Sequence, residues 1–267
     1  LLRLQQVASD GRRAGVETTW SFPRPDPDAD DLVAFGADLA PQTLIAAYAA
    51  GYFPMPMSGP LERVRLRRAN GGPRIGWFSP QQRGVLRPEA LDISHSLAKS
   101  TRRYHLSVDA DFEAVIAGCA DPARRGRWIS DEILEAYVRL HRSGLAHSVE
   151  VRNGDDELVG GVYGLSLGAL FAGESMFHTA RDGSKVALVG LTALLMADSE
   201  PGTTLIDTQW VTPHLASLGI EEWDRERYLD GLPDLIGATG PDFARWAGDP
   251  AGFTELARSR AKRGRHR

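Results

Sequence analysis

The feature that most constrains the fold of this chain is an apolar stretch from Leu158 to Phe177. Its sequence, LVGGVYGLSLGALFAGESMF, contains two short apolar runs on either side of Leu167-Gly168. A turn with glycine between two such runs is typical of a β-hairpin. We therefore predict two antiparallel strands, around which the rest of the chain is organised.

Glu174 is an acid with almost no polar neighbours in the second of these strands. Side chains of a strand alternate between two faces. One predicted face carries Phe171, Gly173, Ser175 and Phe177, and the other carries Ala172, Glu174 and Met176. Burying a carboxylate without a partner is costly. Either Glu174 lies at a sheet edge and reaches water, or it meets a cationic ligand that docks against the sheet. The rest of the chain favours the ligand.

The length of 267 residues suffices for one large domain or two smaller ones. No apolar run approaches the roughly 20 residues of a membrane helix, and the first residues lack the ordered regions of a signal peptide. We therefore expect a cytoplasmic protein. The single cysteine, Cys119, excludes an internal disulfide framework and a Cys-rich zinc site. It lies in the apolar helical pattern FEAVIAGCA, which predicts a buried and inert thiol.

The charge is unevenly distributed along the chain, although the net charge is only −4. Residues 61–103, the basic segment, hold ten Lys or Arg residues, among them Arg83, against three acids. Such runs are often solvated surface, but a basic belt on an acidic protein also suits a polyanion such as nucleic acid. Six of the ten residues from 258 to 267 are also Lys or Arg, and we expect this tail to be disordered.

The N-terminal part begins with about thirty polar residues that are rich in proline, which predicts an extended lead-in. A helix is predicted from Asp38 or Ala40, with Pro41 in its first turn and Gly51 at its end. Residues 58–76 are rich in Arg and Gly and are predicted to form a loop. The denser sequence GWFSP follows this loop, which places a domain boundary near residue 80.

The second region mixes helical and strand patterns. Helices are predicted over 93–103, 109–119 and 131–144, from Ser184 onward, and before Gly219. Strands are predicted at YHLSVD, HSVEVR, the hairpin and LIDTQW. The sequence thus predicts an α+β fold of roughly the acyltransferase kind. Its parts are a small N-terminal domain at 1–80, a catalytic domain at 81–240 and a weakly structured basic tail at 241–267.

Asp207 and Gln209 lie two residues apart in the predicted strand LIDTQ, so both side chains project from one face. Asp207 can then hold the side-chain amide of Gln209 in one orientation and leave its carbonyl oxygen free to accept a hydrogen bond. An acid–amide pair of this kind is either structural or part of a reactive site. The presence of Glu174 in the same sheet makes the reactive site a serious alternative.

Trp128 precedes a predicted helix and is flanked by Arg124, Arg125 and Arg127. It is either a hydrophobic staple for that helix or an aromatic platform that stacks on the end of a single-stranded RNA. His214 lies near Asp207 and Gln209 in sequence, but across a turn. The chain contains no zinc-ligand spacing, Walker loop or GxSxG elbow.

Several runs together resemble one known family. They are FGADLAPQTLIAAYAAGYFP, WFSPQQRGVL, RWISDEILEAYVRLHRSGLAHS, GESMF, SKVAL and LIDTQWVTPHLASLG, which follow one another over residues 30–230. This order resembles the leucyl/phenylalanyl-tRNA–protein transferase family. The resemblance implies transfer of Leu, Phe or, less well, Met from aminoacyl-tRNA to the N-terminal Arg or Lys of a protein, which marks that protein for degradation. It also implies an acetyltransferase-like sheet domain.

The resemblance also implies roles for individual residues. Glu174 would meet the cationic acceptor, Asp207 and Gln209 would lie at the reacting amine, and Trp128 would stack near the terminal adenosine. Met55 stands where many family members have Trp. Either Trp77 or Phe78 compensates, or Met55 packs against the base through its polarizable sulfur. Arg83 would join these aromatic residues in binding the tRNA.

The apolar side chain of the transferred amino acid needs a pocket, for which Tyr163, Leu165 and Phe177 are the candidates. We expect a monomer that needs neither cofactor nor metal. One rival function is an acyl-CoA-dependent N-acetyltransferase, but the junction TARDGSK has one glycine where pyrophosphate binding would want several. The other rival is a non-catalytic RNA-binding module, which would not explain the presence of Glu174, Asp207 and Gln209.

Overall fold

The computed structural model of the protein describes residues 2–3, 20–57, 75–124, 128–200 and 202–263. These residues form two β-sheets and the helices that cover them. A small N-terminal region is followed by a large mixed sheet, so the predicted mixture of helices and sheets is confirmed. The two sheets change over between residues 78 and 82, and the predicted boundary near residue 80 stays a prediction.

Four short strands form the small sheet. They are β1 (Leu2–Arg3), β2 (Leu32–Phe35), β3 (Phe53–Pro56) and β4 (Ile75–Phe78). Their order is β1-β2-β4-β3, with β1 parallel to β2 and the other pairs antiparallel. Strands β3 and β4 are therefore neighbours in this sheet, although the first residues of the basic segment lie between them in the sequence.

Helix α1 (Pro41–Ala49) connects β2 to β3. Pro41 occupies its first turn, where a missing N–H costs no hydrogen bond. The Asp38 carboxylate accepts from the Ala40 N–H at 2.9 Å and from the Thr43 hydroxyl at 2.6 Å. Gly51 follows the helix with φ of +85°, a conformation that favours glycine. The predicted helix and both its ends are confirmed.

Seven strands form the large sheet. They are β5 (Gln82–Leu86), β6 (His105–Val108), β7 (Ala146–Arg152), β8 (Leu158–Leu167), β9 (Leu170–His178), β10 (Leu205–Gln209) and β11 (Glu221–Asp224). Their order is β11-β5-β10-β9-β8-β7-β6. The predicted hairpin is β8–β9, and it lies near the middle of the sheet.

Strands β9 and β10 are parallel neighbours, whereas the other described pairs of this sheet are antiparallel. Their pairing runs only from Leu205 opposite Leu170 to Asp207 opposite Ala172. Beyond that point β9 continues to His178, and within the described residues nothing pairs it with β10. The sheet is therefore split along the C-terminal half of β9.

Helices cover both faces of the large sheet. Those after α1 are α2 (His95–Thr101), α3 (Phe112–Ala120), α4 (Asp131–Arg142), α5 (Gly183–Ala197), α6 (Pro213–Ala216), α7 (Arg225–Gly237), α8 (Phe243–Ala247) and α9 (Pro250–Arg263). Helices α1, α3 and α4 share one apolar core with the sheet, and α2, α5, α8 and α9 share a second on the opposite face. None of the described helices combines the length and apolar content that crossing a membrane would need.

The predicted alternation along β9 is wrong after Gly173. Gly173 lies opposite Gly164, but Ser175 lies opposite Tyr163, so Glu174 is the extra residue of a β-bulge. The bulge reverses the alternation, and Phe177 packs into the core that contains Ala172, while Phe171 packs on the other face. Glu174 and Phe177 therefore lie on the same side of the sheet, contrary to the prediction.

The prediction of a weakly structured tail at 241–267 is wrong for α8 and α9. The side chains of Phe253, Ala257 and Ala261 are buried, and their spacing of four residues gives α9 an apolar stripe. The Thr254 hydroxyl fixes α9 to β6, because it accepts from the Leu106 N–H at 2.9 Å and donates to the Leu106 carbonyl at 3.1 Å. Residues 264–267 lie outside the described residues.

Strand β8 and the first turn of α5 contact each other backbone to backbone. A Cβ atom at Gly160 would lie 2.7 Å from the carbonyl carbon of Gly183, so Gly160→Ala must push the helix off the sheet. We expect a loss of about 1–3 kcal/mol in the free energy of unfolding, as for other overpacked sites, measured by urea denaturation. Gly154→Ala is the control, since a Cβ there meets nothing within 4 Å. Equal stability of the two variants would contradict this packing.

Candidate active site

Glu174 is buried, with 8% of its surface exposed. The Tyr48 hydroxyl of α1 donates to its Oε1 atom at 2.6 Å. Tyr137 of α4 hydrogen-bonds both to Glu174 and to the Tyr48 hydroxyl. The expectation that this acid lacks polar company is therefore wrong, because its partners come from two helices that are remote in sequence.

The pKa of Glu174 reflects a balance between burial and these hydrogen bonds. Burial raises the pKa to about 7, although the hydrogen bonds from Tyr48 and Tyr137 act in the opposite direction. The carboxyl group of Glu174 is thus only partly ionised at neutral pH. A cation that docks beside it would favour the ionised form and lower the pKa again.

Asp207 forms a buried ion pair with Arg83 of β5. The Arg83 Nε atom lies 2.8 Å from Asp207 Oδ1, and its Nη2 atom lies 2.5 Å from Oδ2. Both side chains are at most 1% exposed. Burial alone would lower the pKa of Arg83, but the charge and hydrogen bonds of Asp207, together with Tyr228 and Tyr48, outweigh burial and raise that pKa. The bidentate geometry is the strong form of an Arg–carboxylate contact.

Further contacts fix this ion pair within the fold. The Tyr228 hydroxyl donates to Asp207 Oδ2 at 2.9 Å, and Arg83 Nη1 donates to the Gly51 carbonyl at 3.1 Å. The guanidinium carbon also lies 4.9 Å from the centroid of the Phe53 ring and 4.5 Å from that of Tyr228. The pair therefore joins β5 and β10 to α7 and to the end of α1. The predicted role of Arg83 in binding tRNA is wrong, because its side chain is inaccessible.

Gln209 is held by its backbone and not by its side chain. Asp207 Oδ1 accepts from the Gln209 backbone N–H at 2.9 Å, so the prediction that Asp207 orients the side-chain amide is wrong. The β10–β5 register shifts between these residues, and Gln209 has φ of +60°. A non-glycine residue in this region carries strain that its surroundings must offset.

The side-chain amide of Gln209 is a buried donor that is not used by the fold. Its Nε2 atom has no hydrogen-bond partner in the part of the chain that the structure describes. Buried polar groups in native proteins are nearly always paired. The charges of Asp207 and Arg83 also act on Glu174, so Asp207 and Glu174 lie near each other where the β9–β10 pairing ends. The backbone of Gln209 is bound to Asp207.

The residues predicted to form the apolar pocket lie in one core. Tyr163, Leu165 and Phe177 are buried and pack in the cluster that also contains Ala172. The Tyr163 hydroxyl has no partner among the described residues. The β-bulge brings Phe177 to the Glu174 side of the sheet, next to this cluster. The pocket itself stays a prediction.

The aromatic residues predicted to contact adenosine differ in accessibility. Trp77 is fully buried, and its Nε1 atom donates to the Gly36 carbonyl at 2.6 Å, so the prediction that Trp77 replaces the missing tryptophan is wrong. Phe78, Met55 and Trp128 are half-buried and border the apolar core that contains Tyr48. Trp210, which the sequence reasoning missed, contacts the Phe78 ring edge-on, at 5.7 Å between centroids.

Comparison with known protein families shows to which family the chain belongs. A family model described as leucyl/phenylalanyl-tRNA protein transferase matches residues 85–233, which is more than half of the chain. The chain belongs to the leucyl/phenylalanyl-tRNA–protein transferase family. A second model, for the N-terminal domain of this family, matches residues 37–81. The resemblance deduced from the sequence motifs is thereby confirmed.

Individual members of the transferase family are similar over most of their length. A leucyl/phenylalanyl-tRNA–protein transferase of Afipia carboxidovorans is 44% identical over 224 residues, which cover 82% of this chain and 92% of the relative. The protein of that name from Pseudomonas entomophila is 46% identical over 223 residues, 82% of this chain and 90% of the relative. The one from Aromatoleum aromaticum is 42% identical over 252 residues, 90% and 98% respectively.

The buried ion pair predicts a large effect on stability. Arg83→Met leaves the charge of Asp207 buried without its partner, which costs about 3–5 kcal/mol of unfolding free energy at neutral pH. Arg24→Met is the control, because its ion pair with Asp230 is solvent-exposed and such pairs contribute at most about 1 kcal/mol. Similar losses in urea denaturation would contradict a central role for the buried pair.

Proposed function

We propose that the protein transfers a leucyl or phenylalanyl group, and less well a methionyl group, from aminoacyl-tRNA to the N-terminus of a protein that begins with Arg or Lys. The observation that carries this proposal is a buried Glu174 carboxyl, within reach of the charge of Asp207, beside the end of the β9–β10 pairing, with a buried Gln209 amide nitrogen two residues after Asp207 that has no partner among the described residues. The names of the relatives specify tRNA and protein as substrates. A negative group for a cationic N-terminus and a fixed amide for the reacting centre suit that reaction.

The reaction joins an amine to an ester. The acceptor α-amine nitrogen attacks the carbonyl carbon that links the amino acid to the tRNA ribose. The new C–N bond forms, the C–O bond to the ribose breaks, and the released ribose oxygen takes the proton of the amine. An α-amino group has a pKa of about 7.7–8.0, so a minority is neutral at pH 7. A strong protein base is not required.

Gln209 acts in this proposal by positioning. An amide oxygen is barely basic, and the amide nitrogen is a donor. The free Nε2 donor of Gln209 can bind the carbonyl oxygen, on which negative charge develops in the transition state. The contribution of this hydrogen bond to catalysis depends on a fixed position of Gln209. The hydrogen bond from the Gln209 backbone N–H to Asp207 provides that position. Asp207 is itself held by Arg83 and Tyr228, so these two are positioning residues.

Glu174 selects the acceptor in this proposal. An Arg or Lys side chain beside a partly dry carboxylate forms a charge-assisted hydrogen bond of about 1.5–3 kcal/mol. The pKa of about 7 in the free protein means that the acceptor must favour ionisation of Glu174 when it binds. The group transferred from the tRNA would fill the pocket of Tyr163, Leu165 and Phe177, which are apolar and buried.

The 3′ end of the tRNA is proposed to lie beside the N-terminal region, next to strands β3 and β4. Met55, Phe78 and Trp128 are half-buried aromatic or thioether side chains that suit the terminal adenosine. Arg87, Lys99, Arg102 and Arg103 of the basic segment are exposed and suit phosphates. The residues of this segment from Arg63 to Arg74 lie outside the described residues. We further propose a cytoplasmic monomer whose products are marked for degradation.

The acetyltransferase-like fold is also a proposal. A mixed sheet whose parallel pair β9–β10 splits towards one end supports it. So does helix α5, which follows directly from the split strand β9. The catalytic domain at 81–240 would then be this sheet with its helices, and residues 1–80 would supply Tyr48 and Met55 to the site.

One assay tests the function directly. The protein is incubated with leucyl-tRNA that carries labelled leucine and with a peptide that begins with Arg. We expect label in the peptide, and much less in a matched peptide that begins with Glu or has an acetylated N-terminus. Absence of transfer to the Arg peptide, or acetylation of that peptide when acetyl-CoA replaces leucyl-tRNA, would refute the proposal.

Glu174→Gln keeps the shape of the side chain and removes its charge. We expect kcat/KM for peptides with N-terminal Arg to fall by about 10- to 100-fold, in line with the loss of a charge-assisted hydrogen bond, with unchanged KM for leucyl-tRNA. Protonation of the acceptor amine lowers kcat/KM below about pH 8 in both proteins. In the parent, the fall should be steeper as the pH drops through 7, because Glu174 also becomes protonated, and the variant should show the amine effect alone. A variant that only melts at a lower temperature would instead indicate a structural glutamate.

Gln209→Ala removes the positioning amide. We expect kcat to fall by about 10²–10³, as for other oxyanion donors, with little change in either KM, because this contact is made in the transition state. Gln209→Glu provides the contrast, since it replaces the donor by a potential base. We expect a poor enzyme at every pH. A restored rate with a new acidic limb in the pH profile would show that proton abstraction at this position limits the reaction.

A further inference from the structure

Three basic side chains converge beyond the open end of the β9–β10 split. His178 is the last residue of β9, Lys185 lies in the first turn of α5, and His214 belongs to α6, which follows β10. The His178 Nδ1 atom lies 3.1 Å from the Ser184 hydroxyl, which ties the end of β9 to the start of α5. We name His178, Lys185 and His214 the basic cluster.

The apolar neighbours of these side chains lie on one face of the large sheet. Met176 before His178, Ala180 after it and Leu215 beside His214 border the same apolar core. The charges of Lys185 and His178 reach His214, where, after burial, they lower its pKa. Three separate elements therefore bring their basic groups into one place.

No acid in the described part of the chain pairs with the basic cluster. His178 and His214 are exposed and Lys185 is half-buried, and none of the three forms an ion pair with another described residue. The nearest acid in sequence, Asp182, accepts a hydrogen bond from Ser100 at 2.7 Å and lies 3.6 Å from Arg181. A lysine cation beside two imidazole N–H donors, without an acid among the described residues, is suited to an anionic ligand.

We propose that the basic cluster binds a phosphodiester group in the single-stranded 3′ end of the tRNA. This inference rests on the proposed function. Four residues of extended strand separate Glu174 from His178, which is about 13 Å. The cluster lies with α5 on one face of the sheet and Glu174 lies with α1 on the other. A phosphate near the reacting 3′ end therefore reaches the cluster through the open split between β9 and β10 while the aminoacyl ester lies at Gln209. Lys185 supplies the fixed positive charge, and the two histidines supply N–H donors.

The charges of the two substrates favour the tRNA over the acceptor at this place. The proposed acceptor begins with Arg or Lys, and the basic cluster repels such an N-terminus. The tRNA carries one negative charge per nucleotide, and phosphate contacts dominate its affinity for proteins. Glu174, the acid that suits the acceptor, lies further back along β9. The split thus has an acidic inner end and a basic outer end.

The test is the salt dependence of tRNA binding. Dissociation constants of uncharged tRNA are measured over a salt series for the parent, Lys185→Gln and Lys262→Gln. Lys262 is the matched control, because it is an exposed lysine on α9, 3.8 Å from Glu255. We expect Lys185→Gln to weaken binding about three- to tenfold at low salt and to reduce the slope of log K against log salt by about 0.7–0.9. Lys262→Gln should bind tRNA with the dissociation constant and the salt slope of the parent.

Transfer assays with leucyl-tRNA then assign the ligand. For Lys185→Gln we expect a higher KM for leucyl-tRNA and an unchanged KM for the Arg peptide. Salt slopes equal to that of Lys262→Gln would overturn the proposal, and so would a change confined to the peptide KM. If the parent binds tRNA but transfers no leucine, the proposed function fails, whereas the salt slopes still decide whether the basic cluster contacts phosphate.

Discussion

The buried ion pair of Arg83 and Asp207 is the constraint on which the site depends. A desolvated arginine and carboxylate cost several kcal/mol each to bury, and only near-complete hydrogen bonding offsets this cost. The pair meets that requirement with a bidentate contact, the Tyr228 hydroxyl and the Gly51 carbonyl. The remaining capacity of Asp207 accepts the Gln209 N–H. The contacts that satisfy the buried charges thus also hold the strained backbone that carries Gln209.

A second network connects the N-terminal region to the large sheet. Tyr48 comes from α1, Tyr137 from α4 and Glu174 from the bulge of β9. The apolar core around them contains residues of both regions. The N-terminal region is therefore a part of the site and not an independent attachment. Because the hydroxyls keep Glu174 partly ionisable while burial opposes its charge, the carboxyl is poised to respond to a cation.

Local patterns in the sequence predicted the elements well, because helix caps, turns and apolar runs are encoded by neighbouring residues. Helix α1, the hairpin β8–β9 and strand β10 follow from such patterns. The bulge at Glu174 and the positive φ of Gln209 did not, since both depend on pairing with remote strands. The basic run assigns Arg83 to the tRNA, because a run of charges does not reveal which of its members meets a buried acid. The apolar stripe of α9 lies among many charged residues, and no local pattern around Tyr48 or Tyr137 marks their hydroxyls as partners of Glu174.

We propose that the Glu174 carboxyl recognises the positive charge of the acceptor. The protonation of this carboxyl can be followed by difference infrared spectroscopy, with Glu174→Gln to identify the carboxyl band. We expect a midpoint near pH 7 for the free protein, in keeping with the effect of burial. A saturating peptide with N-terminal Arg should move the midpoint clearly downward, and a peptide with an uncharged first side chain should not. A midpoint that is the same with and without the Arg peptide would contradict recognition of the acceptor by Glu174.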